Sequence, residues 1–177
     1  MNNFSDIEWW KTASLVDLET EINNGNDPLA QFESCDLLST PLHYASGYGS
    51  KEAVKYLLDL GADPNGLASY AVRPVHVAVE QGRVNILKVL HHYGADLSLK
   101  NTGGGQPLST LEHAYLWSDM TCLWDVIDLT PDAFTSDQYY NVLYWMKGKK
   151  LKKSAEYQNL NSIYKQQKAK EKARKVR

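Results

Sequence analysis

Cysteine is scarce in this chain: Cys35 and Cys122 are the two in 177 residues. So small a number excludes a disulfide-stapled secreted scaffold and any zinc site built on cysteines. Long apolar runs are missing too, and a membrane-crossing helix needs roughly 18 or more consecutive apolar residues, so no membrane span is expected. The start of the chain carries Asp6 and Glu8 and lacks the basic segment and apolar run of a secretory signal. These absences lead to the expectation of a cytoplasmic protein, or a nuclear one in a cell with a nucleus. Hydrophobic residues still make up 43% of the chain, enough for one core with an appendage, so wholesale disorder is excluded.

The small net charge of −2 conceals a division. Residues 146–177 hold ten lysines and two arginines against Glu156 and Glu171, a net of +10. The rest of the chain holds seven basic and nineteen acidic residues, a net of −12. An acidic body therefore carries a basic tail, which bears on partners and self-contact rather than on fold.

The sequence repeats itself. Thr40-Pro41-Leu42-His43-Tyr44-Ala45 returns as Arg73-Pro74-Val75-His76-Val77-Ala78, and Gly61-Ala62-Asp63 as Gly94-Ala95-Asp96, both at an offset of 33. Residues 40–63 and 73–96 agree at nine of 24 positions, where chance gives about one or two. Thr40 is a good N-cap, and Pro41 suits a first helical position, where its missing N–H costs nothing. Ala53, Val54, Leu57 and Leu58 then recur at helical spacing over 51–60, and Gly61 ends that helix in a left-handed cap. The second unit predicts helices over 74–81 and 84–93, capped at Gly94.

This pattern resembles the ankyrin repeat, most specifically over 40–96. Upstream, Leu15, Leu18 and Ile22 before Gly25-Asn26-Asp27-Pro28 look like the second half of a capping repeat, opened by Trp9 and Trp10. Downstream, 107–129 reads as a decayed repeat. In the 33-residue register Ser109 replaces the motif histidine, Leu111 the alanine and Tyr115 the glycine, and Leu123 falls where Leu57 and Leu90 stand. The resemblance implies an all-α ankyrin-repeat solenoid with a C-terminal helical extension. Residues 1–130 form the repeat domain of about four units, 131–148 a capping helix, and 149–177 a basic tail, helical or disordered.

No catalytic set emerges. His43 and His76 occupy equivalent repeat positions, where the resemblance implies a hydrogen bond to backbone between units rather than chemistry. His91 and His92 are adjacent and diverge on a helix, a poor chelate. Gly103-Gly104-Gly105 is followed by no Lys-Ser/Thr and reads as a loop, not a phosphate cradle. No enzyme, metal, cofactor or small-molecule substrate is expected. The resemblance implies instead a partner protein held by finger loops and first helices. The finger over 66–73 offers Leu67, Tyr70 and Val72 where polar residues are usual; they either anchor a partner or pack on the lengthened linker over 32–39. On the concave face that the resemblance implies, the 33-residue offset puts Tyr48 and Gln81 at equivalent positions, with Tyr44 and Glu80 nearby.

Two lysine clusters remain. One comprises Lys147, Lys149, Lys150, Lys152 and Lys153; the other Lys165, Lys168, Lys170, Lys172, Arg174, Lys175 and Arg177. Such runs bind nucleic acid or anionic surfaces, or serve only solubility. They can also lie back on the acidic concave face as a tethered competitor. The aromatics after the repeats, Trp117, Trp124, Tyr139, Tyr140, Tyr144 and Trp145, read either as a core seal or as a stacking platform. The leading expectation is a non-enzymatic protein-interaction module. The alternatives are a nucleic-acid-associated adaptor through the tail and an acidic neutraliser of a basic enzyme.

Overall fold

Helices follow one another in pairs through the computed structural model, which describes residues 3–34, 37–102, 106–118, 120 and 122–175. Cys35, Gly103-Gly104-Gly105 and Arg177 lie outside the described residues. In chain order come α1 (Ile7–Thr12), α2 (Leu15–Asn23), β1 (Phe32–Ser34), β2 (Leu37–Ser39), α3 (Pro41–Tyr48), α4 (Lys51–Asp59), α5 (Pro74–Glu80) and α6 (Val84–His92). Then follow α7 (Thr110–Trp117), α8 (Leu123–Leu129), α9 (Ser136–Gly148) and α10 (Ala155–Lys175). The first helices α1, α3, α5, α7 and α9 pack side by side in an inner row, and α2, α4, α6 and α8 form an outer row. This is an all-α solenoid, with the single hairpin β1–β2 as its first finger.

Small residues set the spacing of the inner row. Ala45, Ala78 and Ala114 are fully buried at equivalent positions of α3, α5 and α7. Gly47 faces Val77 so closely that a Cβ there would lie 2.9 Å from the valine Cγ1. Between the rows, Val54, Leu57, Leu87, Leu90 and Val126 are fully buried. Gly61 (φ +98°) and Gly94 (φ +91°) end α4 and α6 in the left-handed region, which glycine enters without steric cost.

Two details depart from the sequence reading. Thr40 occupies the N-cap of α3, yet its hydroxyl bonds no helix amide. It lies 2.8 Å from His43 Nδ1. The second departure is register. The helix of the downstream unit is capped by Ser109, the counterpart of Arg73, so the period lengthens from 33 to 36 in the loop before it. Glu112, not Ser109, thus holds the histidine position, Ala114 the alanine position, and Leu123 opens α8 rather than sitting inside it.

From α5 onward the histidine position has one job, whereas His43 takes the Thr40 hydroxyl instead. His76 Nδ1 accepts the Arg73 N–H at 3.1 Å. Glu112 Oε2 accepts the Ser109 N–H at 2.8 Å, and Gln138 Oε1 accepts the Thr135 N–H at 2.7 Å. Each reaches back one turn to an otherwise unpaired donor, the reciprocal half of a capping box. The decayed repeats keep the bond and change the residue.

Arg83 staples two units. Its guanidinium donates to the carbonyls of Ala45 (3.1 Å), Ser46 (3.3 Å) and Gly49 at the end of α3. Arg83→Ala takes this donor from all three carbonyls and leaves Ala45 only the Gly49 N–H. The expected loss is about 2–3 kcal/mol in urea unfolding, and Arg83→Lys recovers only part of it, because one ammonium cannot span the fork.

Candidate partner-binding surface

The fingers are tied edge to edge by polar groups. Ser69 Oγ accepts the Leu38 N–H at 2.8 Å, and the Gln31 side chain donates to the Leu67 carbonyl at 3.0 Å. On the other side the Tyr70 carbonyl accepts the Thr102 N–H at 2.6 Å. Arg73 Nη1 donates to the Ala71 carbonyl (3.2 Å) and the Lys100 carbonyl (2.8 Å). Tyr70 (φ 60°) and Ala71 (φ 53°) are both held left-handed, a costly backbone for non-glycine residues. That geometry aims the Tyr70 carbonyl at the next finger.

Because backbone and short polar groups make these joins, the apolar side chains are left outside. Leu38 is 49%, Leu67 47% and Tyr70 63% exposed, on two adjoining fingers. The finger is hydrogen-bonded to the preceding hairpin, and its large side chains Leu67 and Tyr70 face solvent. Val72 is half-buried, and its carbonyl lies 3.2 Å from His43 Nε2. Leu38 was not among the residues singled out. Its exposure depends on pairing between β1 and β2, which local sequence signals do not carry. Beneath the fingers a cavity of about 690 Å³ is lined by Leu29, Gln31, Asn65, Leu67 and Arg73 among others.

The helix residues separate into two places. Tyr44 is half-buried against Phe32, ring centroids 5.6 Å apart, beside the fingers. Tyr48, Glu80 and Gln81 stand at the far ends of α3 and α5, about 10 Å along the helices. Tyr48 is half-buried, Glu80 and Gln81 are exposed, and desolvation holds the Glu80 carboxyl above the ordinary range.

The basic tail does not lie in the concave face. Helix α10 packs along α9, burying Leu160 and Gln167. Ser136 donates to Glu171 through its backbone N–H (2.8 Å) and its hydroxyl (2.6 Å), and Lys170 pairs with Asp132 at 2.6 Å. Lys168 donates to the Tyr164 hydroxyl at 2.9 Å. Lys165, Lys172, Arg174 and Lys175 face solvent, as do Lys147, Lys149, Lys150, Lys152 and Lys153 at the other end of the helix pair. Among the described residues no group of three metal-ligating side chains comes together, and no helix is long and apolar enough to cross a membrane.

Stacked helix pairs with projecting, hydrogen-bonded fingers define a repeat scaffold. The family model for ankyrin repeats matches residues 15–101 in three copies, and the chain belongs to the ankyrin-repeat family. Such repeats generally mediate protein–protein interaction. The chain is 39% identical over 71 residues to ankyrin repeat and SOCS box protein 11 of Mus musculus, covering 40% of this chain and 22% of that protein. It is 37% identical over 71 residues to Rabankyrin-5 of Mus musculus, covering 40% of this chain and 6% of that one. To an ankyrin repeat-containing protein of Schizosaccharomyces pombe, P1E11.10, it is 30% identical over 76 residues, 43% of this chain and 37% of the relative. The chain therefore spans well under two thirds of each of these relatives.

Proposed function

We propose that this chain is a non-enzymatic interaction module that holds a partner protein on its fingers and concave face. The observation that carries the reading is the exposure of Leu38, Leu67 and Tyr70 on two fingers that are joined by polar groups. An aromatic residue flanked by aliphatic ones on a rigid, hydrogen-bonded support is the usual composition of an interface anchor. The family's general role in protein–protein interaction supports the same reading.

The test compares the wild-type chain with the double variant Leu67→Ser, Tyr70→Ala in affinity capture from native cell extract, with nuclease added. A discrete protein retained by the wild type is expected to fall at least about tenfold on the variant, consistent with loss of an anchor residue. The melting temperature is expected to stay close to wild type, because both side chains are exposed. A collapse of melting would assign these residues to packing between fingers. Recovery abolished by nuclease would shift the reading to nucleic acid held by the lysines of α10.

A further inference from the structure

A second groove lies at the opposite end of the stack, where α7 and α9 finish. Its volume is about 540 Å³, and Tyr115, Leu116, Tyr144, Trp145, Lys147 and Lys149 line it with Gly148. The Tyr115 and Trp145 rings lie nearly parallel, 16° between planes and 6.0 Å between centroids. The Lys149 ammonium stands 5.1 Å from the Tyr115 centroid. Sealing of the terminal unit accounts for the buried Tyr115 and half-buried Trp145. It does not account for Tyr144, 63% exposed, or Leu116, 38% exposed.

A further observation points to a ligand: the rim carries surplus charge. Lys147 and Lys149 are followed by Lys150, Lys152 and Lys153, and among the described residues none of the five is within ion-pair distance of a carboxylate. The C-terminal dipole of α9 offsets only part of this repulsion, because it acts within the last turn.

We propose that this groove binds a short acidic peptide segment of a partner protein. An aliphatic or aromatic side chain of that segment enters between Leu116, Tyr144 and Trp145, and its carboxylates face Lys147 and Lys149. Size and charge select this occupant. The groove accommodates one or two side chains, and the five lysines complement a few carboxylates. Residues 1–145 have a net charge of −12, so a long polyanion is repelled wherever it runs from the lysine rim onto the repeats. The site shares no residue with the fingers and stands independently of the function proposed for them.

The experiment is fluorescence anisotropy on the full chain with a fluorescein-labelled peptide, Glu-Asp-Leu-Trp-Asp-Glu. Micromolar binding is expected. It weakens at least about tenfold when Gln and Asn replace the acids, and similarly when Ser and Gly replace Leu-Trp, because charge and anchor are both used. The double variant Lys147→Glu, Lys149→Glu and the single variant Tyr144→Ala are each expected to weaken it about tenfold, with melting unchanged because these side chains are exposed. Tyr70→Ala is expected to leave it untouched. Absence of binding, equal binding of the peptide lacking Leu-Trp, or indifference to Tyr144→Ala overturns the proposal. So does single-stranded oligothymidylate that displaces the peptide and binds more tightly than it.

Discussion

Acidification is expected to unfold the helix stack between about pH 6.5 and pH 4, with its histidines as the main cause. His43, His76 and His113 sit in a line along the inner helices, and the rings of His76 and His113 are 5.2 Å apart. Burial holds His43 and His113 down to about 4. Burial, aided by the neighbouring His113, holds His76 down to about 3. His43 Nε2 lies 3.2 Å from the Val72 carbonyl and His76 Nε2 lies 3.2 Å from the Leu99 carbonyl. A carbonyl only accepts, so Nε2 carries the proton and Nδ1 is left to accept from Thr40 or Arg73. A second proton on Nδ1 destroys that acceptance.

The sign follows from the depressed values. An unfolded histidine takes up its proton near pH 6.5, while the folded one resists until about pH 4. The stabilisation is therefore fully present above about pH 6.5 and is lost progressively as pH falls towards the folded values. Each histidine contributes a slope of about 1.4 kcal/mol per pH unit within that window, so three approach roughly 4 kcal/mol per unit. Typical domain stabilities of about 5–15 kcal/mol are exhausted within a few units at that slope. Asp17, Asp132 and Glu171 are lowered by hydrogen bonds, from Ser14, Lys170 and Ser136 respectively, and lose their exposed contributions only at more acid pH. Glu80, raised by desolvation, acts weakly in the opposite sense. Urea midpoints measured across this range check the expectation. The variant His76→Gln is expected to flatten the dependence by about a third, because Gln138 already makes the equivalent bond in the last unit. A midpoint independent of pH above 4.5 would sink the argument.

The same bond explains what was legible in the sequence. Residues 40–96 announce themselves because their signals are local: a proline at N1, a histidine at N3, small residues facing the next helix, and glycine at the left-handed caps. The unit built on α7 keeps the bond at N3 through a different residue and the small residue as Ala114, but has Thr110 at N1 and no glycine cap. Glu112 is buried there among Ser109 and Asn141, and three extra loop residues move the register. A fixed period cannot see such an insertion. The finger is a similar case. Tyr70 and Leu67 stand out as misplaced apolar residues, whereas Leu38 acquires meaning only when β1 and β2 pair. The helical character of 155–175 follows from its lysines, glutamines and alanines. Its seat on α9 does not, since it depends on a few apolar residues, Leu160 with the partly buried Tyr157, Ile163 and Tyr164, and on the Ser136–Glu171 bonds, in a largely polar helix.

The two ends of the solenoid are expected to fail differently when their anchors are removed. Trp10 is 1% exposed, donates its indole N–H to the Phe4 carbonyl at 2.9 Å, and lies against Gly49 of the next unit. Trp10→Ala is expected to cost about 3–5 kcal/mol, as loss of a buried aromatic does. Because α1 and the turn Asn3–Ser5 both cover α3, the loss uncovers the inner face of the first full repeat. In a linear stack each unit is held by its neighbours, so the damage passes inward and the urea midpoint of the whole repeat body falls. Leu160→Ala removes an equally buried side chain, at a local cost of about 2–5 kcal/mol. But α10 rests mainly on α9, outside the run from α3 to α6. Hydrogen exchange is expected to accelerate over 155–175 while amides of α4 and α6 keep their protection, the signature of a separate opening unit. If instead Leu160→Ala lowers protection in α4 and α6 as much as Trp10→Ala does, α9 and α10 fold with the repeats as one cooperative body. The lysine-rimmed groove would then be an integral face of the solenoid rather than a feature of a detachable cap.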